Sequence, residues 1–231
     1  MLYRNFVDGT TGPRLRGRPQ SEQVNRRLLA AAFELVAEVG QEAMSIAEVA
    51  RRAGTTTPAV YRRYHDKEAL LTAVVDREMK AIESEPADTG SLRGDLVESV
   101  RSIVAALTPT RARFLAGLVL AGGAHQAPVQ RLSDALQRIA TGAFARVIDR
   151  AVLRGELHSA CTSELLARVP GAIVMNMALL GDGPISEGQI IGLVDQIMLP
   201  ALMSTADEQD NSRTTRRPVH DRERRISAAR H

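Results

Sequence analysis

Apolar residues recur every three or four positions along most of the chain, which is the spacing of helices with one buried face. Over residues 21–39 this pattern predicts a first helix, and Gly40 follows its last apolar position. Glycine is favoured there because a helix C-terminus often takes a positive φ. The buried face of the helix comprises Val24, Leu29, Ala32, Phe33 and Val36.

Two short helices joined by a tight turn are predicted next. Ser45 and Glu48 have the spacing of a capping box, and Gly54 stands where the first of the two helices ends. Thr57 is the expected N-cap of the second helix, with Pro58 at the first helical position, where a missing N–H costs nothing. The arrangement predicts a helix-turn-helix.

The second of these helices has a polar face suited to DNA. Val60 and Tyr64 lie four residues apart and are expected to point inward. The residues expected to face outward are Thr55, Thr56, Ala59, Arg62 and Arg63. Small polar residues followed by arginines suit a helix that enters the major groove.

The rest of the chain is predicted to be helical as well. Asp66 is the expected N-cap of a helix that runs to about residue 83, and the polar segment 84–91 is the expected linker. Further helices are predicted over 92–107, 111–122, 128–153, 163–180 and 186–200. Pro170 and Gly171 are expected to kink or split the fourth of these, because proline removes a helical hydrogen bond.

The last two predicted helices are apolar around most of their circumference, so they are expected to be buried in a core or at a subunit interface. Reading a DNA site with useful specificity requires two recognition helices related by a twofold axis, which favours the interface. The candidate interface residues are Leu179, Ile190, Val194 and Ile197. Core helices of a monomer are the alternative.

Composition supports a helical protein, since 44% of residues are hydrophobic, only 3% are aromatic and tryptophan is absent. Cys161 is the single cysteine, so an internal disulfide is impossible. Without a run of 18 apolar residues or an apolar leader, we expect a soluble, cytoplasmic protein with no membrane partner.

The net charge of +3 is distributed unevenly. Residues 1–80 and the tail 206–231 carry the basic excess, as a DNA-binding protein would require. Residues 1–20 are expected to form a disordered basic arm whose Arg16 and Arg18 enter a minor groove, although a merely solvating leader is an equal alternative. The tail is also expected to be disordered.

The order of these elements resembles the DNA-binding domain of TetR-family transcriptional regulators. A capped helix, Ala53-Gly54 and a threonine-rich turn are followed by Val60-Tyr61-x-x-Tyr64-x-x-Lys67-Glu68-x-Leu70. The match covers about residues 24–79 and departs from the family pattern at Arg62-Arg63, where members often carry an aromatic residue and a histidine. The departure affects which bases are read.

This resemblance implies an all-α protein with an N-terminal three-helix helix-turn-helix domain over 21–83. It also implies a C-terminal helical domain over 84–205 that binds a ligand and forms a homodimer through a four-helix bundle. The DNA-binding residues expected from the pattern and the resemblance are Ser45, Thr55, Thr56, Thr57, Ala59, Tyr61, Arg62, Arg63, Lys67, Arg16 and Arg18. Of these, Arg62 and Arg63 are expected to contact bases or adjacent phosphates, and Tyr61, Lys67, Thr56 and Thr57 to hold phosphates.

Catalytic and metal-binding motifs are absent from the sequence: it has no HExxH, GxSxG, Walker loop or GxGxxG. We therefore expect neither an enzyme nor a cofactor nor a metal. The candidates for a pocket that binds a small, largely apolar effector are Phe114, Leu118, His125, Phe144, Met175 and Asn176.

The sequence thus predicts a transcriptional regulator, most simply a repressor that an effector releases from a palindromic operator. A DNA-architectural or protein-interaction module without an effector is the alternative. An enzyme fused to a DNA-binding domain is the third possibility.

Overall fold

The computed structural model describes residues 18–122, 126–157, 163–181 and 183–204, and these form helices without strands. The all-α prediction is confirmed. The helices are α1 Arg18–Ala43, α2 Ile46–Arg52, α3 Thr57–Tyr61, α4 Lys67–Ile82, α5 Leu92–Ala106, α6 Pro109–Gly122, α7 Ala127–Leu153, α8 Glu164–Leu180 and α9 Glu187–Leu193. A π-helical segment, Val194–Met198, continues α9, and helical turns extend over 199–204.

Several predicted helix ends are confirmed by their hydrogen bonds. The carboxylate of Asp66 accepts from the amide of Ala69 at 2.7 Å. Ser186 and Gln189 form a complete capping box at the start of α9. Gly40 has a φ of 78°, so regular helix geometry in α1 stops where the sequence indicated.

Other predicted ends are wrong. Thr56 is the N-cap of α3, with an extended backbone and no side-chain cap, so Thr57 begins the helix and does not cap it. Only half of the first capping box forms: the Ser45 hydroxyl accepts from the Glu48 amide, while the Glu48 carboxylate accepts from arginines instead. An ionised carboxylate gains more from charged donors than from one amide.

Pro170 lies inside a single helix, α8, so of the two predicted outcomes, a kink or a split, the split does not occur. Proline costs that helix one donated hydrogen bond, and the flanking turns keep theirs. Pro170 is itself buried, and Leu166 and Val174, one turn away on either side, pack into the same core. Helix α1 also begins at Arg18, three residues before the predicted start at 21.

The described helices pack into two apolar clusters. The first joins α1, α2, α3 and α4 to buried side chains of α6 and of the first half of α7. The second joins α5, the second half of α7, α8 and α9. The core of the helix-turn-helix half therefore continues into the C-terminal half, with Leu107 in contact with both clusters.

The segment 84–91 has no regular structure, but hydrogen bonds attach it to α5 and α7. Arg150 donates to the carbonyls of Pro86 and Ala87, and the fully buried carboxylate of Asp95 accepts from both the amide and the hydroxyl of Thr89 at 2.7 and 2.8 Å. A segment that was expected to be a linker is thus bound firmly to the C-terminal half.

None of the described helices is by itself long and apolar enough to cross a membrane. Only the consecutive pair Leu92–Ala106 and Pro109–Leu120 meets the length and hydropathy test, and only jointly across a 78° bend.

Candidate DNA-binding surface

Hydrogen bonds as well as apolar packing hold the segment after α3 and the start of α4 against α1. The phenol of Tyr64 donates to Oδ1 of Asn25 on α1 at 2.6 Å. The ammonium of Lys67 donates to the backbone carbonyl of Glu42 at 3.0 Å. Val60 is fully buried between these contacts. Burial raises the pKa of Tyr64, so this phenol stays protonated as the donor.

An ion-pair chain joins α2 to α1 on the outer surface. Arg52 binds the carboxylate of Glu38 with two hydrogen bonds of 2.8 and 2.7 Å and also binds Glu48 at 3.0 Å. Hydrogen bonds from Arg51 and Arg52 lower the pKa of Glu48 to about 2. The bidentate geometry orients α2 even though each exposed pair contributes little stability.

The turn between α2 and α3 depends on Gly54, whose φ of 63° is in the left-handed region. Among the predicted DNA-binding residues around this turn, the exposed ones are Ser45, Thr56, Arg62 and Arg63. Tyr61 is 50% exposed, and Thr55 and Thr57 are half-buried. The structure therefore leaves most of the predicted DNA-facing residues wholly or partly accessible.

Ala59 is an exception, because it is buried with 7% exposure. The prediction that it faces outward is wrong. Helix α3 has only five residues, of which Ala59 and Val60 are buried, and Val60 packs in the first cluster. The outward surface of α3 consequently consists of its two ends and not of a continuous stripe.

The two arginines that follow α3 have different surroundings. Arg63 folds back, donating to the carbonyl of Ala59 at 3.2 Å and more weakly to the hydroxyl of Ser21 at 3.4 Å. The backbone N–H of Arg62 donates to the carbonyl of Pro58 at 3.1 Å, but its side chain makes no hydrogen bond or ion pair within the described part of the chain. The guanidinium of Arg62 is therefore the one already available to a ligand.

A polar groove of about 630 Å³ lies between the start of α1 and the end of α3. Its lining residues are Ser21, Glu22, Asn25, Arg26, Arg63 and Tyr64. Ser21, Asn25 and Arg26 were not predicted as part of this surface. They lie about 40 residues before the end of α3, and nothing in the helical pattern links these positions to α3. Two arginines here give the groove the character of an anion-binding surface.

Arg16 lies outside the described residues. The backbone of Arg18 begins α1, and its side chain is not among the described side chains. The described residues contain no group of three or more histidine, cysteine, aspartate or glutamate side chains that could hold a metal ion.

Comparison with known proteins agrees with this geometry. Residues 28–74 match a family model described as bacterial regulatory proteins, tetR family, and residues 86–197 match one described as Tetracyclin repressor-like, C-terminal domain. The DNA-binding transcriptional repressor TetR of Mycobacteroides abscessus is 30% identical over 187 residues, which cover 78% of this chain and 94% of that protein. The chain belongs to the TetR family of DNA-binding transcriptional regulators.

Other relatives agree. The HTH-type transcriptional regulator AqdR of Rhodococcus erythropolis is 28% identical over 160 residues, which cover 69% of this chain and 76% of that protein. Among solved structures, Salmonella enterica GusR superposes with a TM-score of 0.66 at 18% identity, covering 83% of this chain and all of that one. Bacillus subtilis FadR, solved in complex with stearoyl-CoA, superposes with a TM-score of 0.58 at 14% identity, covering 77% of this chain and 97% of that one. These structural likenesses establish the TetR-type fold.

In this TetR-family regulator the described effector-pocket candidates differ in burial and in the cluster they belong to. Phe114 and Leu118 are fully buried in the first cluster, where the Phe114 ring lies 4.8 Å from that of Phe33, and Phe144 belongs to the second cluster. Met175 is half-buried beside the first cluster, and Asn176 is exposed. The buried candidates therefore fall in two different clusters, with Phe114 and Leu118 in one and Phe144 in the other. His125 lies outside the described residues.

The candidate interface residues divide into two pairs. Ile190 and Val194 are 4% and 0% exposed and belong to the second cluster, so placing them against a partner subunit was wrong. They face α5 and α8, which need this side of α9 to cover their own apolar residues. Leu179 and Ile197 are 40% and 43% exposed.

A groove of about 300 Å³ lies between α8 and α9 on the outer side of the second cluster. Its lining is formed by Ile173, Met177, Gly188, Gln189, Gly192, Leu193, Gln196 and Ile197. The exposed Leu179, together with Leu180, lies near the end of α8 that follows Met177. The groove thus combines four apolar side chains with two glutamines and two glycines.

Proposed function

We propose that this regulator is a homodimeric repressor that binds a palindromic operator and releases it when a small, largely apolar effector binds. The observation that carries the DNA-binding part is the exposed, unpaired guanidinium of Arg62 at the end of a short helix that α1 holds rigidly. A relative named as a DNA-binding transcriptional repressor supports repression.

The operator contacts divide by chemistry. Arg62 reads a guanine edge, while Tyr61, Thr56, Thr57 and Lys67 hold phosphates beside the groove. Arg63 exchanges its weak bond to Ser21 for a base or phosphate when DNA enters, because a charged acceptor competes well with a hydroxyl 3.4 Å away. Arg16 and Arg18 extend the footprint into an adjacent minor groove.

The outward face of α8 and α9, with Leu179 and Ile197, is the dimer surface in this proposal. Apolar side chains and the small residues Gly188 and Gly192 allow close approach of a second copy. Twofold symmetry places the two recognition helices about one DNA turn, roughly 34 Å, apart.

The effector binds in the C-terminal half, where α8 contacts both apolar clusters through Val174 and Met175. The fold shared with FadR, which was solved with stearoyl-CoA, supports an apolar class of ligand. The ligand releases DNA by binding more tightly to the dimer state whose recognition helices are wrongly spaced for the operator. The ligand then lowers the affinity for DNA by the same factor as DNA lowers the affinity for the ligand. We further propose that the protein has no catalytic role and acts in the cytoplasm.

The test is selection of bound fragments from sheared genomic DNA by the purified protein, followed by footprinting. The expected result is a protected site with two inverted half-sites whose centres are about 10 base pairs, or a multiple of that, apart. Protection without sequence preference, together with no release by any apolar compound, would favour an architectural module and contradict the proposal.

A further inference from the structure

Helix α6 approaches the backbone of α1 closely at Gly117. A Cβ atom added to Gly117 would lie 2.6 Å from the carbonyl oxygen of Val36 and 3.2 Å from Cα of Gly40. Both obstacles are main-chain atoms, so no side-chain rotation relieves them. Since glycine weakens a helix interior relative to alanine, this close crossing gives a packing reason for its presence in α6.

The crossing belongs to a seam between the two halves of the molecule. On one side of Gly117 the rings of Phe33 and Phe114 are 4.8 Å apart. Beyond α6, the buried amide of Gln41 in α1 donates to Oε1 of Gln126, the N-cap residue of α7, at 2.7 Å. We define the Gly117 crossing and the Phe33–Phe114 contact as the α1–α6 seam.

Helix α1 transmits the position of this seam to the recognition helix. The same helix holds Tyr64 through Asn25, Arg52 through Glu38 and Lys67 through the carbonyl of Glu42. These bonds attach the whole helix-turn-helix to α1, so a shift of α1 against α6 moves it as one body.

A second contact between the halves lies next to the seam. Glu78 of α4 is buried, and its carboxylate accepts from Arg111 of α6 at 3.2 and 3.0 Å and from Arg77 of α4. The guanidinium of Arg77 also lies 5.9 Å from the centre of the Phe33 ring. The ion pair restrains α4 but leaves the distance between α1 and α6 to be set by Gly117.

We propose that Gly117 is the positioning residue of this regulator: its missing side chain sets the separation of α1 from α6 and thereby the spacing of the two recognition helices in the dimer. The proposal rests on the proposed binding of a dimer to two half-sites. A methyl group at 117 must separate the two helices by several tenths of an ångström. Packed interfaces convert such small displacements into larger movements at a distance.

The experiment measures the affinity of Gly117→Ala and wild-type protein for synthetic operators whose half-sites are separated by the natural spacer or by one or two base pairs more or fewer. We expect the variant to lose at least tenfold in affinity at the natural spacer and to prefer a different spacer. Gly142→Ala is the matched control, since that glycine is also helical and its added Cβ would meet only the end of the Arg146 side chain at 3.5 Å.

Equal spacer preference in Gly117→Ala and wild type would overturn the proposal, whether affinity is unchanged or falls equally on every operator. If Gly117→Ala does not fold, Phe33→Leu replaces it, because that change loosens the same seam without adding bulk. A shifted spacer preference in Phe33→Leu supports the proposal and an unchanged one overturns it. Failure of the wild type to prefer any two-half-site operator would instead reject the dimeric repressor.

Discussion

The phenol of Tyr64 and the amide oxygen of Asn25 are joined by a 2.6 Å hydrogen bond across 39 residues of sequence. It links the end of the recognition segment to the first third of α1, and it is half-buried together with both side chains. An apolar face alone would let α3 slide along α1, whereas a directional bond fixes one register.

Replacing Tyr64 by phenylalanine should lower the free energy of unfolding by roughly 0.5–1.5 kcal/mol, because one partly buried hydrogen bond is lost. Urea denaturation measures the effect. Tyr61→Phe is the control: its half-exposed phenol has no partner among the described residues, so its stability should match that of the wild type. Equal stability of Tyr64→Phe and Tyr61→Phe would show that the bond does not hold the recognition segment.

Arg62→Ala should cost operator binding roughly 1–3 kcal/mol and relax the preference at one base position, if its guanidinium makes a bidentate contact to guanine. Arg63→Ala should also weaken binding. In the wild type, however, the guanidinium of Arg63 must first give up its contacts to Ala59 and Ser21. Binding assays on the operator and on single-base variants measure both effects.

Arg138→Ala, an exposed arginine on α7, is the control for net charge. It should bind the operator like the wild type. The assignment of base reading to this segment would be wrong if Arg62→Ala and Arg63→Ala both matched that control.

The helical pattern was enough to predict the architecture. Periodicity and caps located nearly all the helices, because a buried stripe and a capped end are local features of a sequence. Pro170 shows the limit: the local rule for proline was overridden by the burial of this residue and its neighbours in the second cluster. Helical spacing also does not reveal a π-helical segment such as Val194–Met198.

The DNA-binding surface was predictable only in part. Arg62 and Tyr61 follow from the motif, whereas Ser21 and Asn25 are brought beside Arg63 and Tyr64 only by tertiary packing. Ala59 was misplaced because a five-residue helix is too short for a helical period to define its faces. Ile190 and Val194 were misplaced for a different reason: an all-round apolar helix does not indicate which side faces its own domain.

Asp95 should make the stability of the protein sensitive to acid. Burial alone would raise the pKa of this carboxyl, but hydrogen bonds from Thr89 and Arg154 outweigh burial, so the pKa is lowered. A lowered pKa in the folded state means that the stabilisation is present above the unfolded pKa of about 4 and is lost as pH falls through the folded value.

Asp95→Asn should therefore lower the free energy of unfolding at pH 7 by roughly 1–3 kcal/mol, and the difference from the wild type should shrink below about pH 4. Urea denaturation at a series of pH values measures this. Asp149→Asn, at an exposed position on α7, should change neither quantity. A difference between Asp95→Asn and wild type that stays constant down to pH 3 would contradict the ionised role of Asp95.

Because Val194 is buried and Ile197 is exposed, an aspartate at each position should have a different effect, unfolding in the first case and loss of the dimer in the second. Val194→Asp places a carboxylate in the fully buried second cluster, which costs several kcal/mol and should unfold the C-terminal half. Ile197→Asp places the charge on the outer face of the α8–α9 groove, where a monomer can hydrate it and only a dimer must bury it.

Ile197→Asp should therefore keep the helical circular dichroism and melting behaviour of a folded protein, sediment as a monomer and lose most operator affinity, since one half-site binds weakly. Ile197→Ala, which removes contact area without adding charge, is the control and should weaken the dimer less. Sedimentation velocity and operator titration on the same samples separate assembly from DNA contact. If Ile197→Asp remains dimeric at the wild-type concentration dependence, the subunit interface lies on another face of the molecule.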